Sequence, residues 1–414
     1  MDQDVKELIQ IAHDSLRKAG QTTEYVASLA CTWNAFLHYH TQNPKEITRE
    51  YANRFLYERY GISLDVTKFA SLRPAHRRRK RAIDILLRCQ KHKNPFVSHT
   101  NWECRFFEPF VSTFTSFLDA RKCQNFALST INRDIYTLNR FSEYLLLSKA
   151  DSLKDINGEL VIEFIKWLSQ KTGLPTVKSA TSTLRLLFKF FNAMGHIVYD
   201  LSTTVPKVRI HRNVPSTYTP TEIESMLKGM GGCSKVEIRN YAMVLLAVRL
   251  GMRASDICDL RLKDIDWRKS EIAFTSKKTG KYTALPLTAE IGNAIIRYLK
   301  EARPEDANPH LFLRYQKPHQ ELQPGVMHIM VTTAMRNAGV IIPHGRRHGP
   351  HALRASLASS MLRNNTPLPV ISETLSHSST DTTRIYLKVD FENLRRLALD
   401  VPSLKGVWLG GVPA

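Results

Sequence analysis

One short pattern occurs twice in the first half of the chain, and it restricts the fold more than any other feature of the sequence. The pattern is T-W-N-A-F-L-H-Y at Thr32–Tyr39 and T-L-N-R-F-S-E-Y at Thr137–Tyr144, at an offset of 105 residues. In both copies the apolar residues recur at the spacing of an amphipathic helix. A looser match at an offset of 109 follows, between residues 45–55 and 154–164. We therefore predict two copies of a small helical bundle; a chance match between amphipathic helices is the alternative.

The length of the chain favours several domains. At 414 residues it exceeds the size at which a single hydrophobic core stops growing. Residues 201–218, which are rich in Ser, Thr, Pro and basic side chains, predict an extended and exposed linker. Thr219-Pro220-Thr221-Glu222 then predicts a capped helix start, and so the beginning of a new domain. The predicted domains are helical bundles at 1–95 and 101–205, a larger domain at 219–400 and a tail at 401–414.

The larger domain is predicted to be mainly helical with one β-hairpin. Its strands are Glu271–Thr275 and Tyr282–Leu287, and Gly280 forms part of the turn between them. Helices are expected over residues 222–228 and 238–250, from Ser255, and near Thr288, Pro324 and Leu368. The expected fold class is therefore mainly α with a small antiparallel β-sheet (α+β).

An excess of positive charge points to a polyanionic partner. The chain carries 59 Lys and Arg against 38 Asp and Glu, which gives a formal net charge of +21. Between the predicted bundles, residues 73–93 contain nine Lys or Arg and a single acid, Asp84. Clustered cations raise the affinity for nucleic acid without reading its sequence. We predict that this stretch contacts DNA, with a solvated helix face as the alternative. The residues concerned are Arg77, Arg78, Arg79, Lys80 and Arg81.

Several other classes of protein are disfavoured. The six cysteines are scattered without a C-x-x-C pair, so neither a disulfide framework nor a zinc site is expected. The amino terminus, MDQDVKELIQ, is unlike a signal peptide, and the longest strongly apolar run, Tyr241–Val248, is too short to span a bilayer. We expect a cytoplasmic protein with no membrane partner, no metal and no cofactor.

Five motifs follow one another in the larger domain. They are G-M-R-A-S-D at Gly251–Asp256, K-K-T-G-K at Lys277–Lys281, H-A-L-R at His351–Arg354, L-S-H at Leu375–His377 and T-T-R-I-Y at Thr382–Tyr386. No single motif is specific, but their order and spacing resemble the tyrosine recombinase (phage integrase) family. The resemblance covers residues 219–390 well, residues 101–205 loosely, and residues 1–95 only through the repeat. Ala355 and Ser376 stand where many members of the family have His and Gly.

Cations in these motifs suit the chemistry of phosphodiester transfer. Negative charge grows on the non-bridging oxygens in the transition state, so fixed cations around the phosphate stabilise it. Arg253 and Arg354 fit this role because a guanidinium is always charged and donates to two oxygens at once. His377 can add a third donor. Asp256 lies three residues after Arg253 and is expected to orient it without transferring a proton.

Tyr386 is the predicted nucleophile. A phenol with a pKa of about 10 is mostly protonated at neutral pH, so a neighbouring group must take its proton. His351 is the expected acceptor, as the family resemblance also implies. The leaving 5′ oxygen needs a proton from a general acid. We assign that role to Lys278, which heads K-T-G as in similar integrases, over Lys277 and Lys281; Lys281 is kept as a DNA contact.

The resemblance also implies partners and a biological role. It implies a site-specific recombinase that forms a 3′-phosphotyrosine intermediate and a Holliday junction, as a homotetramer on double-stranded DNA with specific recombination sites. The additional bundle at 1–95 favours the integrase or transposase of a mobile bacterial element, acting at the nucleoid. The alternatives are a chromosome-dimer or plasmid resolving recombinase, a type IB topoisomerase-like enzyme, and a catalytically decayed DNA-binding protein. The amphipathic segment Phe391–Leu399 is expected to dock on a neighbouring subunit or to pack in cis.

Overall fold

The fold is known from a computed structural model, which describes residues 2–64, 72–93, 95–96, 103–210, 214–342, 346–376 and 383. This part of the chain is mainly helical with one small antiparallel sheet, which confirms the predicted fold class. The chain divides into two compact units, residues 1–16 with 23–212 and residues 17–22 with 213–414. Among the helices of the described ranges, none has both the length and the apolar character that a bilayer span requires.

Eight helices occupy the described residues before residue 200, and they build two separate hydrophobic cores. The first core includes Trp33 and Phe55, and the second includes Phe141 and Phe164. We call the two groups of helices the first bundle (residues 2–93) and the second bundle (residues 103–205). The helices are α1 (Asp2–Lys18), α2 (Thr23–Gln42), α3 (Arg49–Tyr60), α4 (Pro74–His92), α5 (Val111–Cys123), α6 (Leu128–Leu147), α7 (Gly158–Lys171) and α8 (Leu174–Ala193).

A hydrogen bond joins a tyrosine to a glutamate on the following helix in both bundles. Tyr39 on α2 donates to Glu58 on α3 at 2.7 Å, across 19 residues of sequence. Tyr144 on α6 donates to Glu163 on α7 at 3.3 Å, again across 19 residues. Both partners are displaced by 105 residues, whereas the helices α3 and α7 otherwise match at an offset of 109, so the two glutamates lie about one helical turn apart in the matched helices. The tyrosines occupy matching positions, and each binds a glutamate on the following helix.

The aromatic contacts inside the two cores correspond as well. Phe36 and Phe55 pack edge to face with ring centroids 5.1 Å apart, and Phe141 and Phe164 do so at 5.0 Å. These are the residues that the two offsets of the repeat pair with each other. Edge-to-face packing depends on the direction of each ring as well as on burial. The two cores thus contain a corresponding aromatic pair, and the duplication of one bundle stays a prediction.

The cap of the third helix in each bundle extends the match. Thr48 accepts a hydrogen bond from the backbone N–H of Tyr51 at 3.1 Å, and Asn157 accepts one from that of Leu160 at 3.0 Å. The two capping residues are 109 positions apart, which is the second offset of the repeat. Short polar side chains at this position satisfy an N–H that has no partner inside the helix. The start of the helix is thus set in the same way in both bundles.

The second unit packs seven α-helices and a three-stranded sheet within its described residues. Its core centres on α10, where Ala242–Val248 are all buried, so the longest apolar run of the sequence is a core helix. The strands pair in the order β1-β2-β3, all antiparallel. The elements are α9 (Pro220–Gly229), α10 (Lys235–Arg249), α11 (Ala254–Asp259), β1 (Ile265–Asp266), β2 (Glu271–Thr275), β3 (Tyr282–Pro286), α12 (Ala289–Arg297), α13 (Gly325–Asn337), α14 (Pro350–Arg363) and α15 (Leu368–Thr374).

The capped helix start in the sequence is present, but the predicted linker differs from expectation. Thr219 and Glu222 form a capping box at the start of α9, with Pro220 in the first turn. The prediction that residues 201–218 are extended and exposed is wrong at both ends. A short helical turn begins at Leu201, and Val205 and Tyr218 are 3% and 2% exposed. The buried side chains of Val205 and Tyr218 hold the two ends of this polar segment against the protein.

Candidate active site

Two arginines of the predicted site come together because a glycine lets their chain segments approach. Gly251 has a φ of +60°, a conformation that side-chain-bearing residues rarely adopt. A Cβ at this position would lie 2.8 Å from Leu375 Cδ2 and 2.9 Å from Leu357 Cδ2. Its carbonyl accepts a hydrogen bond from Arg354 at 2.6 Å, and Arg253 follows two residues later. Any larger residue at 251 would separate these segments.

Arg253 is held by three groups around its guanidinium. The residue caps the start of α11, with extended backbone angles of −71° and 145°. Its Nη1 donates to Ser276 Oγ at 3.4 Å and lies 3.8 Å from Asp256 Oδ2, and its Nη2 donates to the Ser376 carbonyl at 3.1 Å. The side chain is 14% exposed. It is therefore oriented by the protein while one edge remains accessible to a ligand.

Asp256 joins the start of α11 to the turn of the hairpin. Its Oδ2 accepts a hydrogen bond from Ser276 Oγ at 3.0 Å, and its Oδ1 accepts one from the Lys277 N–H at 3.1 Å. The carboxylate is buried, and its Oδ1 also accepts a hydrogen bond from Ser255 Oγ at 3.4 Å. Its position beside Arg253 suits the orienting role that the sequence predicts. Its bond to the Lys277 N–H also holds the backbone at the start of the lysine-rich turn.

The three lysines of the hairpin turn have different surroundings. The Nζ atom of Lys277 forms an ion pair with Asp259 at 2.9 Å. Lys278 lies exposed in the turn and has no ion-pair partner within the ranges that the structure describes. Lys281 is exposed, and its backbone carbonyl accepts a hydrogen bond from the Ser276 N–H at 2.9 Å. Lys277 is thus engaged with a carboxylate, whereas Lys278 is available to an incoming group.

His351 and Arg354 lie three residues apart at the start of α14. Arg354 is 3% exposed, and its guanidinium donates to the carbonyls of Gly251 and Leu375. Because these acceptors lie before α11 and at the end of α15, one arginine connects three segments of the chain. The arrangement fixes a buried cation next to the histidine.

The pKa of His351 is lowered from its ordinary value. The first cause is desolvation by the surrounding protein, although the residue as a whole is exposed. The next causes are four positive charges, those of Arg354, Lys278, Arg253 and Arg347. Both effects disfavour the imidazolium ion. The site therefore holds a neutral imidazole among converging cations, which is an arrangement suited to an anionic ligand and to proton acceptance.

Comparison with known proteins agrees with these motifs. Residues 217–393 match the model of the phage integrase family. A protein of Sinorhizobium fredii named as integrase/recombinase y4gC is 40% identical over 166 residues, which are 40% of this chain and 84% of that protein. The chain belongs to the phage integrase family of tyrosine recombinases.

Other relatives of this family match more of the chain. The S. fredii integrase/recombinase y4rA is 33% identical over 255 residues, so the match spans 61% of each protein. A tyrosine recombinase of Pyrococcus furiosus, XerA, is 29% identical over 237 residues, 57% of this chain and 78% of XerA. The chain thus covers about three fifths of the length of y4rA.

Two solved structures share the fold of this integrase-family chain. The XerH site-specific recombinase bound to palindromic difH substrate, in a post-cleavage complex, aligns with a TM-score of 0.57 at 23% identity, over 84% of this chain and 93% of XerH. The Tn1549 transposon integrase in complex with transposon right end DNA aligns with a TM-score of 0.50 at 18% identity, over 70% of this chain and 99% of that one. At these identities the likeness establishes the fold.

Ser376, which replaces the glycine common in the integrase family, has a specific contact. Its φ of 49° lies in the left-handed region, which costs a non-glycine residue roughly 1–2 kcal/mol. The buried hydroxyl accepts a hydrogen bond from Thr283 Oγ1 at 2.9 Å. Thr283 lies on β3, so the bond joins the hairpin to the segment before residue 377. Ala355, the other departure from the family pattern, is buried in a small core with Leu375.

The remaining predicted residues of the integrase motifs lie outside the described ranges. These are His377, Tyr386, the segment Phe391–Leu399 and the tail at 401–414. Arg253, Lys278, His351, Arg354 and Asp256 lie in one region, linked by the contacts above and by the charges that act on His351. No set of three or more metal-binding side chains comes together in the part of the chain that the structure describes.

The basic stretch of this integrase-family chain is divided between interior and surface. Arg78 and Arg81 are exposed on α4. Arg79 lies over the ring of Tyr60, and Arg77 donates to the Leu72 carbonyl at 2.7 Å. Lys80 is 9% exposed and pairs with Asp84 at 3.2 Å, so the geometry does not favour its predicted contact with DNA. Lys80 lies one helical turn before the buried Ile83, and this position on the apolar face of α4 indicates that its side chain is buried.

Sequence analysis did not identify the polar residues that brace the site. Ser276, Thr283 and Ser376 bind Arg253, Asp256 or one another, and each is buried. Serine and threonine are common in every part of this chain, so their identity carried no signal. Alternation along the strand placed Thr283 on the inner face of β3, and that pattern was the single indication available.

Proposed function

We propose that the chain is a site-specific DNA recombinase that cleaves and rejoins strands through a covalent bond to Tyr386. The observation that carries the proposal is the convergence of Arg253, Arg354 and Lys278 on His351, within the region matched by the family model. A phosphodiester is the anion that such a set of donors would stabilise best in its transition state. The substrate is double-stranded DNA with specific recombination sites.

The proposed reaction conserves the number of phosphoester bonds. The Tyr386 hydroxyl attacks the phosphorus atom, a bond from the tyrosine oxygen to phosphorus forms, and the bond from phosphorus to the 5′ oxygen breaks. The phenol proton passes to His351, and Lys278 supplies a proton to the 5′ oxygen. Arg253, Arg354 and His377 stabilise the charge on the non-bridging oxygens. Attack by a 5′ hydroxyl of another strand reverses these steps, and a Holliday junction results, so the chemistry requires no external energy source.

The protonation state of His351 supports its role as acceptor. A base must be unprotonated before it can accept the phenol proton, and the lowered pKa keeps the imidazole neutral at physiological pH. As the pH falls through this lowered pKa, the fraction of active enzyme decreases. We therefore expect the acidic limb of the cleavage rate to lie below the ordinary histidine value of about 6.5. A limb above that value would argue against His351 as the base.

The surroundings of the hairpin lysines support Lys278 as the general acid. Lys277 would have to break its ion pair with Asp259 before it could reach a leaving group. Lys281 lies beyond the turn, and we retain it as a phosphate contact. The positive charge of Lys278 is one of those that lower the pKa of His351, so Lys278 lies near the proposed proton acceptor. Asp256 is proposed to orient Arg253 and to fix the hairpin, without taking part in proton transfer.

The order of the domains along the chain suggests how the DNA is held. We propose that the bundle at 101–205 and the domain at 219–400 grip one duplex together, with the bundle at 1–95 as an additional DNA or protomer contact. Arg78 and Arg81 are its proposed phosphate ligands because both are exposed on one helix. Four copies are proposed to assemble on two sites. The segment Phe391–Leu399 then docks on a neighbouring subunit or in cis.

We propose that the biological role is the movement of a mobile bacterial element. The additional bundle and the structural likeness to a transposon integrase favour this role. Similarity to XerA favours the second candidate, resolution of chromosome dimers or plasmids. The two differ in their substrates, since a mobile element has recombination sites at its own ends and a resolvase acts on paired copies of one replicon site.

The decisive experiment searches for the covalent intermediate. Nicked duplexes that tile the DNA on both sides of the gene are incubated with the full chain in EDTA, and SDS-stable adducts are isolated. We expect an adduct whose modified peptide contains Tyr386, and none with Tyr386→Phe. Absence of an adduct on every duplex would support the decayed DNA-binding alternative. Relaxation of plasmid without strand exchange between two sites would support the topoisomerase alternative.

A further inference from the structure

Tyr218, two residues before α9 in the second unit, is buried along the helix that carries His351 and Arg354. Its backbone N–H donates to Ser356 Oγ on α14 at 2.7 Å. Its hydroxyl oxygen accepts a hydrogen bond from the N–H of Gly349 at 3.1 Å. These two partners lie on either side of the pair His351 and Arg354 along the chain. One residue therefore spans the part of α14 that belongs to the candidate active site.

Arg346 holds Tyr218 from its other side. Its guanidinium lies 5.1 Å from the centre of the Tyr218 ring and donates to the Thr217 carbonyl at 2.6 Å. The same guanidinium pairs with the carboxylate of Glu222 at 3.4 Å. Glu222 also completes the capping box of α9. The segment before α14 and the start of α9 are thus fastened together around the tyrosine ring.

The start of α14 needs such support because its own cap supplies little. Gly349 occupies the capping position with a φ of +93°, and it provides no side-chain acceptor. A Cβ on this residue would lie 2.4 Å from Nδ1 of His328, so a serine or aspartate cap would displace that ring. The first N–H groups of a helix have no acceptor within the helix itself. Tyr218 supplies an acceptor at this point from outside the helix.

We propose that Tyr218 is a positioning residue that fixes the first turns of α14, and with them the placement of His351 and Arg354. The structural part of the proposal follows from these contacts alone, and its effect on DNA cleavage rests on the proposed function. Tyr218 touches neither the reacting phosphate nor the nucleophile in this scheme.

The test compares Tyr218→Phe with a matched variant, Tyr298→Phe. Tyr298 is also fully buried in the second unit, and its hydroxyl also accepts a backbone N–H, that of Leu313, at 3.1 Å. Each variant loses one buried tyrosine hydroxyl and one bond of the same type. The difference between them is the place where the bond is lost.

The first measurement is the titration of the His351 imidazole by NMR in the full chain labelled at histidine, with its signal assigned from His351→Gln. Around the ring, the charged groups are Arg354, Lys278, Arg253 and Arg347. If the first turn of α14 loosens, the ring gains water and moves away from these charges. We expect Tyr218→Phe to raise the His351 pKa towards about 6.5 and Tyr298→Phe to leave it at the wild-type value. Equal titration in Tyr218→Phe and wild type would overturn the proposal.

The second measurement is the rate of covalent adduct formation on the nicked duplex found above, together with DNA affinity. We expect Tyr218→Phe to slow the adduct by roughly tenfold or more at unchanged affinity, since small misplacement of a catalytic group carries such costs. Tyr298→Phe should match the wild-type rate. Ser356→Ala, which removes the acceptor of the Tyr218 N–H, provides the same readouts if Tyr218→Phe does not fold. If wild type forms no adduct, the proposed function fails, while the titration still decides whether Tyr218 positions His351.

Discussion

The two bundles have a common frame but differ in the polar groups that they bury. In the second bundle, Arg121, Asp134 and Thr183 form a buried network in which every pairing is short. In the first bundle, His40 is 1% exposed, and neither ring nitrogen has a hydrogen-bond partner among the described residues. The position that matches His40 in the repeat is Leu145, which is fully buried. The same helical frame thus tolerates an apolar or a polar residue at one core position.

This difference shows which features of the bundle the fold requires. The edge-to-face phenylalanines, the tyrosine–glutamate bond and the polar helix cap are retained in both copies. Within the described residues, the buried network of arginine, aspartate and threonine occurs in the second bundle alone, so it is not a condition for forming the frame. Aromatic packing sets the geometry, and the interior polar groups then alter the stability of each copy separately.

We expect the largest effect from removing the carboxylate at the centre of the second network. Asp134 accepts two hydrogen bonds from Arg121, at 3.2 and 3.1 Å, and one from Thr183 at 2.7 Å. Asp134→Ala leaves a buried guanidinium without its counter-ion, which should cost about 3–5 kcal/mol. Hydrogen exchange with mass spectrometry should show the loss in the amides of α5, α6 and α8.

The comparable change in the first bundle, which also removes a carboxylate from an ion pair, is Asp84→Ala. Its ion pair with Lys80 has side chains that are 11% and 20% exposed, so water can partly replace the lost bond. We expect a cost of about 1 kcal/mol, confined to the first bundle. Equal losses in both bundles would mean that the two polar interiors are equivalent, contrary to the comparison above.

Exchanging the residues at the matched core position should have effects of opposite sign. Leu145→His places a polar ring in the second core and should destabilise that bundle by about 2–4 kcal/mol. His40→Leu removes two unsatisfied nitrogens from the first core and should stabilise it by about 1 kcal/mol. Urea unfolding followed by hydrogen exchange in each bundle measures both changes. If His40→Leu destabilised the first bundle, the imidazole would contribute to stability, contrary to the expectation from its two unsatisfied nitrogens.

Charge on the surface of the first bundle gives a third comparison. If Arg78 and Arg81 contact phosphates, the double change to Gln should lower the slope of log affinity against log salt by about 1 for each residue. Lys80→Gln should leave the slope unchanged, because that side chain is buried with Asp84. Fluorescence anisotropy with a duplex of random sequence measures all three proteins. An unchanged slope in the double variant would assign the first bundle to protein contact.

The smallest expected effects concern the tyrosine–glutamate bond that the bundles share. Tyr39→Phe and Tyr144→Phe should each cost about 1 kcal/mol or less at neutral pH, because both bonds lie near the surface. The pKa of Tyr39 is raised to about 12, first by burial and then by Glu58. The folded state therefore favours the neutral phenol, so this contribution is complete below pH 10 and is lost as the pH rises from about 10 to about 12. Hydrogen exchange at increasing pH should show earlier opening of the first bundle, and Tyr39→Phe should reduce that dependence.

Much of the fold followed from local patterns in the sequence. The capping box at Thr219 and the alternation in the hairpin predicted α9 and the two longer strands to within a few residues. Strand β1 was not predicted, because a strand of two residues has no period to detect. The burial of Lys80 could have been inferred from its helix face, since Ile83 and Asp84 lie three and four positions later.

The candidate site was predictable in its charged residues and not in its supports. Arg253, Lys278, His351 and Arg354 were proposed from the sequence because their side-chain types and order are informative, and their roles remain predictions. Their fixed positions depend on backbone carbonyls at Gly251, Leu375 and Ser376, and any residue supplies a carbonyl. The burial of Tyr218 was missed for a related reason. A single aromatic residue after a polar linker has no periodicity, so its partner on α14 could be recognised in three dimensions alone.

The separation of the two cores also affects how the chain is made. The first core draws on residues 5–89 and the second on residues 110–205, so neither requires a residue from the other. During synthesis, the first bundle can close before the second has left the ribosome, since domains fold as units while the chain grows. Two copies of one frame on a single chain otherwise risk exchanging equivalent helices. Sequential emergence removes that competition, because the helices of the first copy are already packed when their counterparts appear.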